Sequence, residues 1–157
     1  MQRPDIIGLA SAIVICQLAG VLGSVFTVPA IAGWYATLQK PWFTPPNWLF
    51  GPVWISLYTL MGIALYLVWQ KGLAKNKTAL GIFGTQLALN ATWSFLFFSL
   101  QSPFLGLAGI IPLWIFVALS AWAFYRVDKR AGYLLVPYIV WVSIATALNY
   151  YVLVLNP

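Results

Sequence analysis

The sequence predicts an all-α membrane protein, a single bundle of five transmembrane helices, on three observations. Of 157 residues, 62% are hydrophobic and only 6% charged, against roughly 25% charged in an ordinary soluble domain. Mean hydropathy is +0.90. The apolar residues fall into five runs, each close to the ~20 residues a helix needs to cross the hydrocarbon of a bilayer, and these runs use nearly the whole chain.

The first run, 6–28, carries no charge. Ala30-Ile31-Ala32 follows it and resembles a signal-peptidase site, but the run exceeds the ~7 to 15 residues of a signal core, so it is expected to stay as a helix. Next comes a segment, 29–48, crowded with Trp, Tyr, Phe and Pro. Prolines restrict their own backbone and that of the preceding residue, which predicts a stiff, lid-like cap; an interfacial aromatic belt is the plainer alternative. The remaining spans are expected at 49–70, 78–100, 104–125 and 133–155. No linker or internal repeat divides the chain.

Charge fixes an expected orientation. Arg3, Lys71, Lys75, Lys77, Arg126, Lys129 and Arg130 fall on the side of the amino terminus, leaving Lys40 on the other. The positive-inside rule then puts the amino terminus in the cytoplasm and the carboxyl terminus outside. Clusters this short and scattered do not form the contiguous basic face that nucleic acid requires.

Composition also excludes chemistry. The chain has no His, its only acids are Asp5 and Asp128, and Cys16 is its only cysteine. Zinc and di-metal sites need several converging ligands, and a serine triad needs a histidine base. No metal site and no resident cofactor are expected, and Cys16 reads as a small core residue.

Trp34-Tyr35-x-x-Leu38-x-Lys40-Pro41, Pro45-Pro46, Phe50-x-Pro52-Val53-Trp54 and Leu57-Tyr58 resemble the first loop and second helix of the translocator protein (TspO/MBR) family. Gln86-Leu87-x-Leu89-Asn90-x-x-Trp93-Ser94-x-x-Phe97-Phe98 is similar to its third helix, and Pro137-Tyr138-x-x-Trp141-x-x-x-Ala145-x-x-Leu148-Asn149 to its fifth. The resemblance covers almost the full chain in order. It implies a prokaryotic member in the plasma membrane, a receptor or sensor that binds porphyrins such as protoporphyrin IX, and other hydrophobic aromatic ligands, inside the bundle beneath the first loop. Carriage of tetrapyrroles or lipids, and light-dependent porphyrin breakdown involving Trp34 and Trp141, are the alternatives it brings. The ligand residues it carries over are Tyr35, Pro45, Trp54, Tyr58, Asn90, Trp93, Trp141, Ala145 and Leu148. The cholesterol-recognition pattern of vertebrate relatives needs a basic residue that the end of this fifth span lacks.

Helical geometry gives an independent reading of the same positions. At 100° per residue Gln86, Asn90, Trp93 and Phe97 share one face of the third span. Trp54, Tyr58, Met61 and Leu65 share one on the second, and Trp141, Ala145 and Leu148 one on the fifth, where a small residue beside a large ring leaves room for a guest. Asn90 is the most informative polar residue, because an amide in hydrocarbon needs a partner or a wet cavity; an interhelical hydrogen bond is its plainer role. Lys40 is a candidate to meet a propionate at the rim, with interfacial snorkelling as the alternative. Gly84, Ala88 and Thr92 form a small-residue ridge on the opposite face of the third span and predict a homodimer through it, or else close packing within one chain.

Overall fold

A computed structural model describes residues 5–157. Among these the chain is helical and without strands: α1 Ile6–Ile31, α2 Trp34–Thr37, α3 Asn47–Trp69, α4 Lys77–Ser94, α5 Pro103–Val127, α6 Lys129–Leu134 and α7 Val136–Leu155. Four stretches are long and apolar enough to cross a membrane, Ile6–Ile31, Asn47–Trp69, Pro103–Val127 and Lys129–Leu155. The chain is thus a multi-pass membrane protein. The expected third span, here α4, does not meet that measure of length and composition, because it holds Lys77, Gln86 and Asn90.

The boundaries differ from the sequence expectation in three places. α1 continues to Ile31 through Pro29, and the proline-rich segment contains its own short helix α2. α4 runs on into a π-turn, Phe95–Ser99, in which Leu100 N–H donates to the Phe95 carbonyl at 3.0 Å. The expected fifth span is broken at Leu135 into α6 and α7, since Pro137 has no N–H with which to continue the ladder. Asp5 caps α1 through Gly8 N–H, and Asp128 caps α6 through Arg130 N–H at 2.9 Å, supplying acceptors that the first turn of a helix otherwise lacks. Arg130 also pairs with the Asp128 carboxylate at 2.9 Å, and this partner holds the carboxyl below its ordinary range. Arg3 lies outside the described residues.

In the bundle α1 packs against α3 and α4, α5 packs against α4 and α7, and α6 closes the ring onto α3. Glycine sets the closest approach: a Cβ on Gly62 would stand 2.5 Å from Ile13 Cα, and one on Gly20 would collide with the Tyr58 ring. Toward the start of α3, rings bridge it to α7, Phe50 edge-on to Trp141 and Trp54 edge-on to Tyr138. A bundle tight at one end and bridged by rings at the other encloses space at the second.

Candidate ligand-binding site

That space is a cavity of about 390 Å³ between α1, α3, α4 and α7, with α2 above it. Its floor is a directed chain of buried polar groups. Tyr58 O–H donates to Asn90 Oδ1 at 2.7 Å, and Asn90 Nδ2 donates to the Tyr138 hydroxyl at 2.7 Å. Tyr138 O–H donates onward to Gln86 Oε1 at 3.0 Å, and Gln86 Nε2 points at Met61 Sδ, 3.8 Å away. Gln86 is 0% and Asn90 2% exposed, so each would carry a desolvation cost of several kcal/mol without these bonds. The chain ties α3, α4 and α7 together in one network.

Aromatic rings make the walls. Trp54 stacks on Tyr58 at 5.5 Å, and Trp93 stacks on Phe97 at 5.7 Å. Trp93 is fixed by donating its indole N–H to Asn149 Oδ1 at 2.9 Å. Trp141 lines the cavity from α7, and its buried indole N–H has no partner among the described residues. Ala145 beside it leaves the volume that a larger residue would fill.

The lid is ordered by specific bonds. Lys40 Nζ donates to the Tyr35 carbonyl at 2.7 Å and to the Leu38 carbonyl at 2.9 Å, and sits 4.7 Å from the Tyr35 ring centre. Asn156, past the end of α7, accepts from Gln39 N–H at 3.0 Å and donates to the Gln39 carbonyl at 2.9 Å. This two-way amide pair latches the lid to α7. Phe43 edge-on to Tyr151 reinforces it.

Of the residues singled out from sequence, Tyr35, Trp54, Tyr58, Asn90, Trp93, Phe97, Trp141, Ala145 and Leu148 line this one cavity. Pro45 and Trp34 do not; Trp34 packs edge-on to Phe97 outside it. Met61 and Leu65 are buried, but beneath the floor rather than in the wall. Lys40 is drawn inward to the lid carbonyls, which take two of its three donors. Asn90 has both polar ends bonded to protein, one lone pair of Oδ1 to Tyr58 and one N–H of Nδ2 to Tyr138.

Sequence reasoning missed the contribution of α1 altogether. Gln17, Gly20, Ser24 and Thr27 line the cavity at intervals of three, four and three residues, a small and polar stripe at helical spacing within the apolar run. It also missed Phe50, Phe98 and Asn149. Phe98 had no signal in helical periodicity, because only the π-turn brings it to the same side as Phe97. Gly84, Ala88 and Thr92 are exposed on the outer face of α4, and a Cβ on Gly84 would meet nothing.

Comparison with known proteins adds an independent finding. A model of the TspO/MBR family matches residues 12–155. The chain is 48% identical to "Tryptophan-rich protein TspO" of Chlorobaculum tepidum, over 99% of this chain and 100% of that protein. It is 42% identical to "Tryptophan-rich sensory protein" of Cereibacter sphaeroides, over 78% and 77% of the two chains. With "Translocator protein" of Bos taurus it shares 38% identity over 85% and 81%.

Proposed function

The chain belongs to the TspO/MBR family, and we propose that it is an integral membrane receptor or sensor that binds porphyrins, protoporphyrin IX among them, and other flat hydrophobic aromatic molecules in the cavity. The observation that carries this reading is the wall. Three tryptophans from three helices, Trp54, Trp93 and Trp141, surround one space together with Phe50, Phe97 and Phe98. Ring faces offer dispersion and quadrupole contacts to a flat conjugated guest. The volume falls within the ~300–1,000 Å³ range of small-molecule sites. The Trp141 indole contributes its ring to this wall, with its N–H buried and without a partner among the described residues. The printed name of the Cereibacter sphaeroides relative, a sensory protein, is consistent with binding coupled to a signal.

We read α4 as the fifth crossing. Its hydropathy is lowered by Gln86 and Asn90, yet both are buried and hydrogen-bonded inside the bundle, so neither meets lipid. In the same reading the membrane is a prokaryotic plasma membrane, with Lys71, Lys75, Lys77, Arg126, Lys129 and Arg130 on the cytoplasmic side and Lys40 opposite. The exposed Gly84, Ala88 and Thr92 favour a homodimer through α4.

The test is tryptophan-fluorescence titration of detergent-purified protein with protoporphyrin IX, corrected for inner-filter absorption. Wild-type protein is expected to quench saturably. Trp141→Phe cuts back the indole face of the wall and weakens binding, and Ala145→Phe fills the cavity and weakens it at least about tenfold, ~1.4 kcal/mol. Linear quenching, identical in all three proteins, would mean partitioning into micelles and would withdraw the porphyrin assignment.

A further inference from the structure

We propose that the cavity is loaded sideways from the bilayer, through a slot between the lid-side halves of α1 and α3, so that its ligands are molecules already dissolved in the hydrocarbon. This rests on the reading of the cavity as a ligand site. Two stripes frame the slot. Val21, Ser24 and Val28 share one face of α1, and Asn47, Gly51 and Ile55 share one of α3. All six line the cavity, and all six are exposed. Val21 is 56%, Val28 65% and Ile55 61% exposed. Residues that face the interior and the surroundings at once are the rim of an opening.

The slot has a definite lower end. Gln17 Nε2 spans the two helices, donating to the Ile55 carbonyl at 3.0 Å and to Thr59 Oγ1 at 3.0 Å. Below that clip, Gly62 lets α1 and α3 close on each other, its Cβ position only 2.5 Å from Ile13 Cα. Small residues keep the gap open above it: a Cβ on Gly51 would have nothing within 4 Å. Val21 lies ten residues before the end of α1 and Ile55 eight after the start of α3. At 1.5 Å per residue the slot reaches about 12 to 15 Å down from the lid, close to halfway through a ~30 Å hydrocarbon layer. Both helices are among those apolar enough to cross a membrane, so this opening faces acyl chains. The watery route is shut by contrast, since the lid is held by Lys40 and by the Asn156 latch. An apolar, flat molecule in the bilayer meets an open edge, and a water-soluble one meets a closed lid.

The experiment is stopped-flow quenching in nanodiscs, with protoporphyrin IX dissolved beforehand in the lipid of empty discs that are then mixed with protein-bearing ones. Gly51→Leu and Ser24→Leu are expected to slow association at least tenfold and to slow dissociation with it, because a plug raises a barrier. Asn156→Ala unlatches the lid and is expected to leave association unchanged. Wild-type association in both plugged variants, affinity lost only through faster dissociation, or faster association in Asn156→Ala would each overturn lateral entry. A ligand-free measurement separates this from the porphyrin reading: a spin label on Ser24→Cys, in a Cys16→Ala background, should collide with oxygen and not with a water-soluble nickel chelate. Access by the nickel chelate overturns the slot even where porphyrin binds. A lipid-facing label with no saturable quenching in wild type would leave the slot standing and remove the porphyrin assignment.

Discussion

Asn90 sits where stability and cavity shape meet, and replacing it by leucine has a magnitude that the hydrogen-bond chain fixes. Asn90→Leu keeps the volume roughly constant but takes the acceptor from the Tyr58 hydroxyl and a donor from Tyr138. Tyr138 keeps its bond to Gln86, whereas the Tyr58 hydroxyl, in a residue only 4% exposed, is left without a partner. An orphaned buried donor costs about 1 to 3 kcal/mol. Polar pairs between membrane helices average ~0.6 and reach ~1.7 kcal/mol, because the unfolded chain in lipid finds partners too. The expected loss is therefore about 1 to 2 kcal/mol. Tyr58→Phe removes the orphan itself, so it should cost about 1 kcal/mol in the wild type and almost nothing beside Asn90→Leu. The assay is a double-mutant cycle of reversible unfolding by SDS in mixed micelles. Costs that add within ~0.3 kcal/mol, or a neutral Asn90→Leu, would refute the view that this amide is held by protein rather than reserved for a ligand.

Three further outcomes are expected. Gly62→Ala places a Cβ 2.5 Å from Ile13 Cα and 2.9 Å from its nitrogen, backbone atoms that move only with all of α1. It should destabilise by about 1 to 3 kcal/mol in SDS unfolding, while Gly81→Ala, whose Cβ would meet nothing, should be neutral or stabilising. The Asp128 carboxyl is held low first by its hydrogen bond from Arg130, so its support of the α5–α6 corner is present at neutral pH and lost as pH falls through the lowered value. Amide exchange across α6, corrected for its intrinsic pH dependence, should therefore lose protection in acid in the wild type and not in Asp128→Asn, which keeps a cap acceptor without the titration. Gly84→Leu adds bulk to the exposed ridge of α4 and should shift cross-linked or light-scattering mass from dimer to monomer with the fold intact; an unchanged dimer would place the interface elsewhere.

Much of the architecture was legible because lipid leaves little choice: long apolar runs become helices, and their charges gather at the ends. The cavity face of α4 was legible for the same reason, since Gln86 and Asn90 at helical spacing had to face protein. What sequence periodicity assumes is an unbroken 3.6-residue repeat, and it fails where the backbone departs from it. The π-turn adds a residue to the turn at Phe95–Ser99 and gathers Phe97 and Phe98 on one wall. Leu135 interrupts the last span ahead of Pro137. The carbonyls that Lys40 meets had no local signal in an aromatic loop, since they become its neighbours only after α2 forms. The α1 stripe was overlooked for another reason. Gln17, Ser24 and Thr27 are diluted among so many aliphatics that the run reads as uniformly apolar.

The two halves of the bundle follow from where the small and the aromatic residues lie. Toward the basic connections, Gly62 brings α1 and α3 into contact, and the Tyr58–Asn90–Tyr138–Gln86 chain locks α3, α4 and α7 at one level. Each link uses the group that the next one needs, so no member moves without exposing a buried donor or acceptor elsewhere, and the floor behaves as one rigid piece. Above that level Phe50 meets Trp141 ring to ring, a contact that slides and turns at small cost compared with breaking a buried hydrogen bond. A guest that enters this half can be accommodated by rotation of Trp54, Phe50 and Trp141 while the floor stays fixed. Shape selection then lies with the rings and the width of the slot, and the polar chain serves to keep the tyrosine and tryptophan faces at a constant separation.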